Sequence, residues 1–270
     1  MSFFDRFRKK KADIAPAKSE ITRHCFVLCK TALPQDLSNA SNVVSDVLGA
    51  GFSAEYDDQN IVTVMYGNEP IGFLAHMPIA IPHGEAEENA DRNILWPDGR
   101  KEASAHCSHV IVTNIGGGDQ SPIQSAIRVS QLALVALRLF DGIGVYWGSA
   151  SVCNSREAFE EFCQDMSDEH VPVAVWLRFQ PVRASDGNIG MYTLGMRQFN
   201  LMEIEVDRST VNVGDLFEFV SNLAHYLIQC GSVIADGNTV GGSPDERILV
   251  RHRPSMIEKT RNVYKIVFES

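Results

Sequence analysis

From His24 the chain opens on a short apolar run, HCFVLCK, whose length and bounding polar residues predict a strand. Residues 34–48 then read as a helix, with Leu37, Val44, Val47 and Leu48 apolar and Gly49 and Gly51 as stop signals. IVTVMY and PIGFLAHMPIAI predict two strands joined by a hairpin at Gly67-Asn68-Glu69. Residues 82–105 lack a period altogether. They hold an acidic run (Glu85, Glu87, Glu88, Asp91) and then Trp96-Pro97-Asp98-Gly99, and they read as a long irregular loop, a kind of segment that often carries function.

Two later stretches share one pattern of apolar and polar blocks. HVIVTNI, GGGDQ, SPIQSAIRVSQLALVALRLF and DGIGVYW run from residue 109 to 147; LMEIEV, DRSTVN, VGDLFEFVSNLAHYLIQC and GSVIA run from 201 to 235. Both predict a β-α-β unit, with Gly142 and Gly231 just past the helix ends. Ser121, Pro122 and Gln124 form a helix-start signature, and Asn212 is the corresponding cap in the second copy. Between them SREAFEEFCQDM predicts an amphipathic helix held by Ala158, Phe159, Phe162 and Met166. VPVAVWLRFQPV, ILVRHR and VYKIVF predict strands. Strands that adjoin through hairpins, interleaved with helices, point to an α+β fold of mixed sheets with helices packed mainly on one face, containing two similar β-α-β units. The expected division is a basic tail at 1–20, an N-terminal half at 21–169 and a C-terminal half at 170–270, the two halves open to forming one domain.

Charge narrows the partners. The net charge is −10, and because residues 1–11 are basic the remainder is more acidic still. A body of that sign repels phosphate backbones, so no nucleic acid is expected. The opening MSFFDRFRKKK sets Phe3, Phe4 and Phe7 beside five basic residues, which fits either a solubilising tail or weak contact of residues 1–11 with an anionic membrane surface. Six cysteines without a CxxC pair, and a basic start that does not run into an apolar stretch, point to a reducing cytoplasm.

The strings HMPIAIPHGE, Trp96, AHCSHVIV, GVYW and EIEV, in that order, resemble an uncharacterised bacterial family known as domain of unknown function 4261. The resemblance runs from about Thr22 onward. It implies the fold read above and a bacterial origin, and it brings no mechanism.

Candidate chemistry is sparse. Gly116, Gly117 and Gly118 lie between a strand and a helix start, where backbone amides can cradle an anion; no P-loop lysine accompanies them, so a plain flexible connection competes with that reading. His106-Cys107-Ser108-His109 puts Cys107 and His109 on one side of a strand, with His83 and Glu85 available from the preceding loop for acid–base or metal work. Cys153 is a candidate nucleophile with His106 or His170 as base, against the commoner reading of an inert buried thiol. Glu157, Glu160 and Glu161 offer an acidic face to a basic protein partner. With no assembled catalytic motif and no cofactor signature, the first expectation is a non-enzymatic intracellular binding protein. The alternative is an enzyme, hydrolase-like or metal-assisted, with its site at residues 82–109. Convergence of His83, Glu85, His106 and His109 in one cleft would favour the enzyme. From the composition break at Ala15-Pro16-Ala17, deleting residues 1–18 is expected to leave the thermal unfolding midpoint nearly unchanged; a large drop would show that the tail is packed.

Overall fold

Strand β1 (His24–Cys29) is buried on both faces along Val27–Cys29, which is why its sequence reads as an unbroken apolar run. A computed structural model describes residues 24–32, 36–56, 61–115, 120–183, 187–241 and 247–268. The tail expected at 1–20 and the glycines 116–118 lie outside them. The chain divides into two compact units, one ending at Trp176 and the other starting at Leu177.

In the first unit, β1 is followed by α1 (Ala40–Leu48), β2 (Phe52–Tyr56), β3 (Ile61–Tyr66), β4 (Glu69–Met77), α2 (Glu85–Asp91), α3 (Gly99–Ala103), β5 (Ser108–Asn114), α4 (Pro122–Leu139), β6 (Gly142–Trp147), β7 (Val152–Ser155), α5 (Arg156–Cys163) and α6 (Val173–Trp176). The strands form one sheet in the order β2-β3-β4-β5-β1-β6-β7. Because β5 and β6 both pair antiparallel with β1, they run parallel to each other, and α4 carries the chain across β1 from one to the other. The start of α4 is as read: the Ser121 side chain accepts from the Gln124 N–H, and Gln124 Oε1 accepts from the Ser121 N–H. On its inner face Leu132 lies over Gly72 and Leu137 over Gly142, positions where a Cβ would meet those side chains within 3 Å.

The opposite face carries Leu28, Tyr146 and Cys153, and these are covered by the segment expected to be irregular. Residues 82–105 form a 3-10 turn and the short helices α2 and α3, which set Ala86, Ala90, Trp96 and Ala103 against that face. Neither helix is long enough to display an apolar period, being seven and five residues. Trp96 packs close on the sheet because Gly144 has no side chain; a Cβ there would stand 3.0 Å from the indole and 2.6 Å from the Asn154 carbonyl. Asn93 fastens the same segment to β7, donating to the Cys153 carbonyl at 2.9 Å and to Asn154 Oδ1 at 3.0 Å.

The second unit contains β8 (Arg178–Arg183), β9 (Ile189–Leu194), β10 (Ile204–Ser209), α7 (Val213–Cys230), β11 (Thr239–Val240), β12 (Ile248–Pro254) and β13 (Asn262–Val267), with sheet order β11-β12-β13-β10-β9-β8. Asn212 caps α7 as expected, accepting from the Asp215 N–H at 3.0 Å. Residues 231–235 are not a strand, however. The strand parallel to β10 is β13, reached only after the β12–β13 hairpin, so the second expected β-α-β unit lacks its closing strand. VPVAVW is likewise not a strand: Val173–Trp176 is a helical turn, with Trp176 stacked on Trp147 and bonded through Nε1 to Ser130 Oγ at 2.7 Å.

Gly144→Ala is expected to lower the unfolding free energy by about 1–3 kcal/mol, the usual range for overpacking, because Trp96 or β7 must shift. Urea unfolding followed by tryptophan fluorescence measures this, and an unchanged midpoint would mean that Trp96 does not anchor the cover.

Candidate functional site

The row of side chains that β1 presents to the α2–α3 face begins with His24 and Phe26. The sheet register places Ile111 of β5 and Tyr146 of β6 on either side of Phe26, and His109 beside Leu28 one row along. Phe26 stacks on Tyr146 with centroids 5.9 Å apart and meets His109 and His24 edge-on at 5.8 and 5.4 Å. Glu85, the first residue of α2, reaches this wall and accepts a hydrogen bond from the Tyr146 hydroxyl at 2.5 Å. Between them lies a cleft of about 550 Å³, also lined by Ile81, Pro82, Gly148 and Ser149. That volume suits a small molecule.

Electrostatics give its polar groups distinct roles. His109 Nδ1 lies 2.8 Å from the Ile79 carbonyl, which can only accept, so Nδ1 carries the proton and Nε2 is the ring's acceptor. Burial, the largest influence, holds the His109 pKa below the usual histidine value, with His106 and His76 adding in the same direction. Burial and the hydrogen bond to Glu85 push the Tyr146 phenol up, so it stays a donor.

The four side chains whose convergence was at issue divide. Glu85 and His109 share the cleft. His106 is buried behind it as a brace: Nε2 accepts from the Ile81 N–H at 3.0 Å, and Nδ1 donates to the Ala103 carbonyl at 2.6 Å. Glu87 approaches His106 Nδ1 at 3.6 Å, but with both ring nitrogens engaged by the backbone this is not a hydrogen-bonded ion pair. His83, with the unusual φ of 63°, lines a separate hollow with Glu87, Glu88, Arg100, Lys101 and Ser104. Cys107 bonds to the Lys30 carbonyl, and among the described residues no three His, Cys, Asp or Glu side chains are grouped to hold a metal ion.

Cys153 is fully buried beneath α2, and burial pushes its thiol far up, which is the opposite of what a nucleophile needs. On α5, Glu157 and Glu161 are exposed, whereas Glu160 is drawn to Arg156 at 3.1 Å, and Arg156 also holds Asp141. Phe162, expected on the inner stripe, is 41% exposed; Phe159 and Cys163 do the anchoring. Tyr146 and His24 were not legible as site residues. The strand alternation groups His24 with Phe26, but nothing local says that Tyr146 stands opposite.

In the second unit the two glutamates of EIEV are buried fasteners. Glu203 accepts from Thr193 Oγ1 at 2.8 Å and from the Gly195 and Met196 N–H groups, although burial still raises its pKa. Glu205 accepts from Ser255, the Met256 N–H and Lys265 Nζ, the last at 2.8 Å.

Residues 192–267 match the family described as Domain of unknown function (DUF4261). The DUF4261 segment lies wholly in the second unit and contains EIEV; the strings quoted before residue 192 fall outside the match. No curated protein and no solved structure matches the chain at a significant level. Among the described residues, no helix is long and apolar enough to cross a membrane.

His76, which stacks on Phe140, is also held below the usual histidine value by burial. The unfolded chain therefore takes up these protons near pH 6.5 while the folded unit resists them. Stability present above that pH is lost as pH falls, by at most about 1.4 kcal/mol per pH unit for each group. Urea midpoints should fall between pH 7 and 5.5, and less steeply in His109→Asn; identical slopes would remove His109 from the linkage.

Proposed function

We propose that the first unit is a small-molecule-binding domain whose site is the cleft beside α2, with Glu85, Tyr146 and His109 as its polar handles. One observation supports this: a carboxylate, a phenol and an imidazole from three separate elements line one recess whose wall also includes the apolar side chains of Phe26, Ile81 and Pro82. A few placed polar groups in a largely apolar recess are the common make-up of ligand sites. The cleft lies in the region 82–109 expected for an enzyme, but only Glu85 and His109 of the four side chains meet there, so ligand binding is the reading it supports, with His109 Nε2 available as proton acceptor should the bound molecule react. The setting we propose is the reducing bacterial cytoplasm, since all six cysteines are free thiols and the chain resembles a bacterial family.

Gly148 supplies the test. It lines the cleft, its φ is not positive, and the nearest atoms to an added Cβ are His24 and Phe26 at 3.7 Å, so a larger side chain projects into the recess without striking the backbone. Gly148→Leu should abolish binding of fragments detected by ligand-observed NMR and leave the melting point within about a degree. Fragments that bind the variant equally well do not use this cleft.

A second reading, contact of α5 with a basic protein, is supported by the exposure of Phe162 beside Glu161, an apolar centre with a charged rim. Reversing Glu157 and Glu161 to lysine should leave stability nearly unchanged and slow association with any such partner at low salt. Kinetics indistinguishable from those of the unaltered chain would remove α5 from the interface.

A further inference from the structure

Resting on the cleft as a ligand site, we infer that its ligand is a small organic cation, an amine in its ammonium form attached to a flat or apolar body. Two of the polar groups that line the cleft offer acceptors to a donor. Glu85 keeps a second carboxylate oxygen after accepting the Tyr146 proton through Oε1. The tie of His109 Nδ1 to Ile79 leaves Nε2 as an acceptor. An ammonium has three donors and no acceptor, so its chemistry matches either group.

The walls agree with the charge. Phe26 and Tyr146 stack on each other and line the cleft, aromatic surface of the kind that attracts a cation and covers an apolar body. None of the described residues lining the cleft is a lysine or arginine, so no fixed cation there favours a carboxylate or phosphate ligand. The net charge of −10 adds a long-range pull of the same sign. A bare metal ion fits less well, because no group of three ligating side chains is present among the described residues.

Benzylamine, benzyl alcohol and benzoate have nearly the same shape and differ in charge, which makes them suitable probes of the full-length protein. Each is titrated while the imidazole C–H resonances of His24 and His109 are followed by NMR, on the unaltered chain, on Glu85→Gln and on Gly148→Leu. Gln at 85 retains an oxygen to accept from Tyr146, so the variant changes charge with little change in the wall. Benzylamine should bind about tenfold or more tighter than benzyl alcohol, a difference of about 1.4 kcal/mol. Glu85→Gln should remove that preference while benzyl alcohol binds as before, and Gly148→Leu should silence all three. If benzyl alcohol or benzoate binds as tightly as benzylamine, or if the preference survives in Glu85→Gln, the cation assignment is wrong and the cleft remains a ligand site. If none of the probes moves a cleft resonance, and fragments detected otherwise bind Gly148→Leu unchanged, both the assignment and the cleft reading fall.

Discussion

The structure of the first unit depends on how the second face of its sheet is covered. Strand alternation puts Leu28, Tyr146 and Cys153 on the side away from α4, and such side chains are not stable against water. Among the described residues of this unit, the one long helix, α4, lies on the other face. The cover is instead made from two short helices and a turn, elements too brief to be stable by themselves. Burying a large apolar side chain contributes about 1.5–3 kcal/mol, and fixing each backbone residue costs about 1–2 kcal/mol. A 24-residue cover therefore cannot rest on a few apolar contacts alone. Polar fasteners fix its position on the sheet. Asn93 reaches the β7 backbone, His106 bonds two backbone groups at once, and Trp96 both fills the space above Gly144 and donates to Glu102 at 2.7 Å.

The cleft follows from where that cover stops. Alpha-helical residues Ala86 and Ala90 are small and buried, drawing α2 down onto the sheet, while Glu85 at the helix start remains exposed at the border. Beyond it the β1 row continues uncovered through Phe26 to His24. A carboxylate at the rim of a helix, a phenol rising from the sheet and an imidazole locked by the end of the preceding strand are thereby brought together. The brace and the site are thus neighbours: Ile81, held by His106, also lines the cleft, and His109 is tied to Ile79 two residues earlier. Loosening the cover should disturb the site before it disturbs the α4 side of the sheet.

Legibility followed the range of the interactions. The start of α4 was readable because Ser121, Pro122 and Gln124 interact within four residues, and the strand β1 because it is buried on both faces. The acidic helix was readable in position but not in every contact, since Phe162 sits where the stripe predicts burial and is open. Helices α2 and α3 left no period, and their stability comes from the sheet beneath them. The pairing of Phe26 with Tyr146, 120 residues apart in the chain, is set by β1 lying between β5 and β6, which no local pattern records. For the same reason the strand expected after Gly231 was misplaced: the parallel neighbour of β10 is supplied by β13, with a hairpin intervening.

The second unit, like the first, uses its buried polar groups as fasteners. In the DUF4261 segment, Glu203 and Glu205 hold their oxygens on loop backbone, on hydroxyls and on Lys265, leaving the EIEV pattern explained by the framework. A carboxylate so surrounded is a fastener, since removing it would orphan several buried donors at once. Glu85 is the contrasting case: an exposed residue whose side chain accepts from the Tyr146 phenol. The proposed ligand site rests on that contrast: Glu203 and Glu205 are buried and engaged by several donors, whereas Glu85 stands at the rim of the cleft with one carboxylate oxygen given to Tyr146. On the proposed reading, the carboxylates of the matched segment serve the framework of the second unit, and the ligand chemistry lies at the edge of the first sheet.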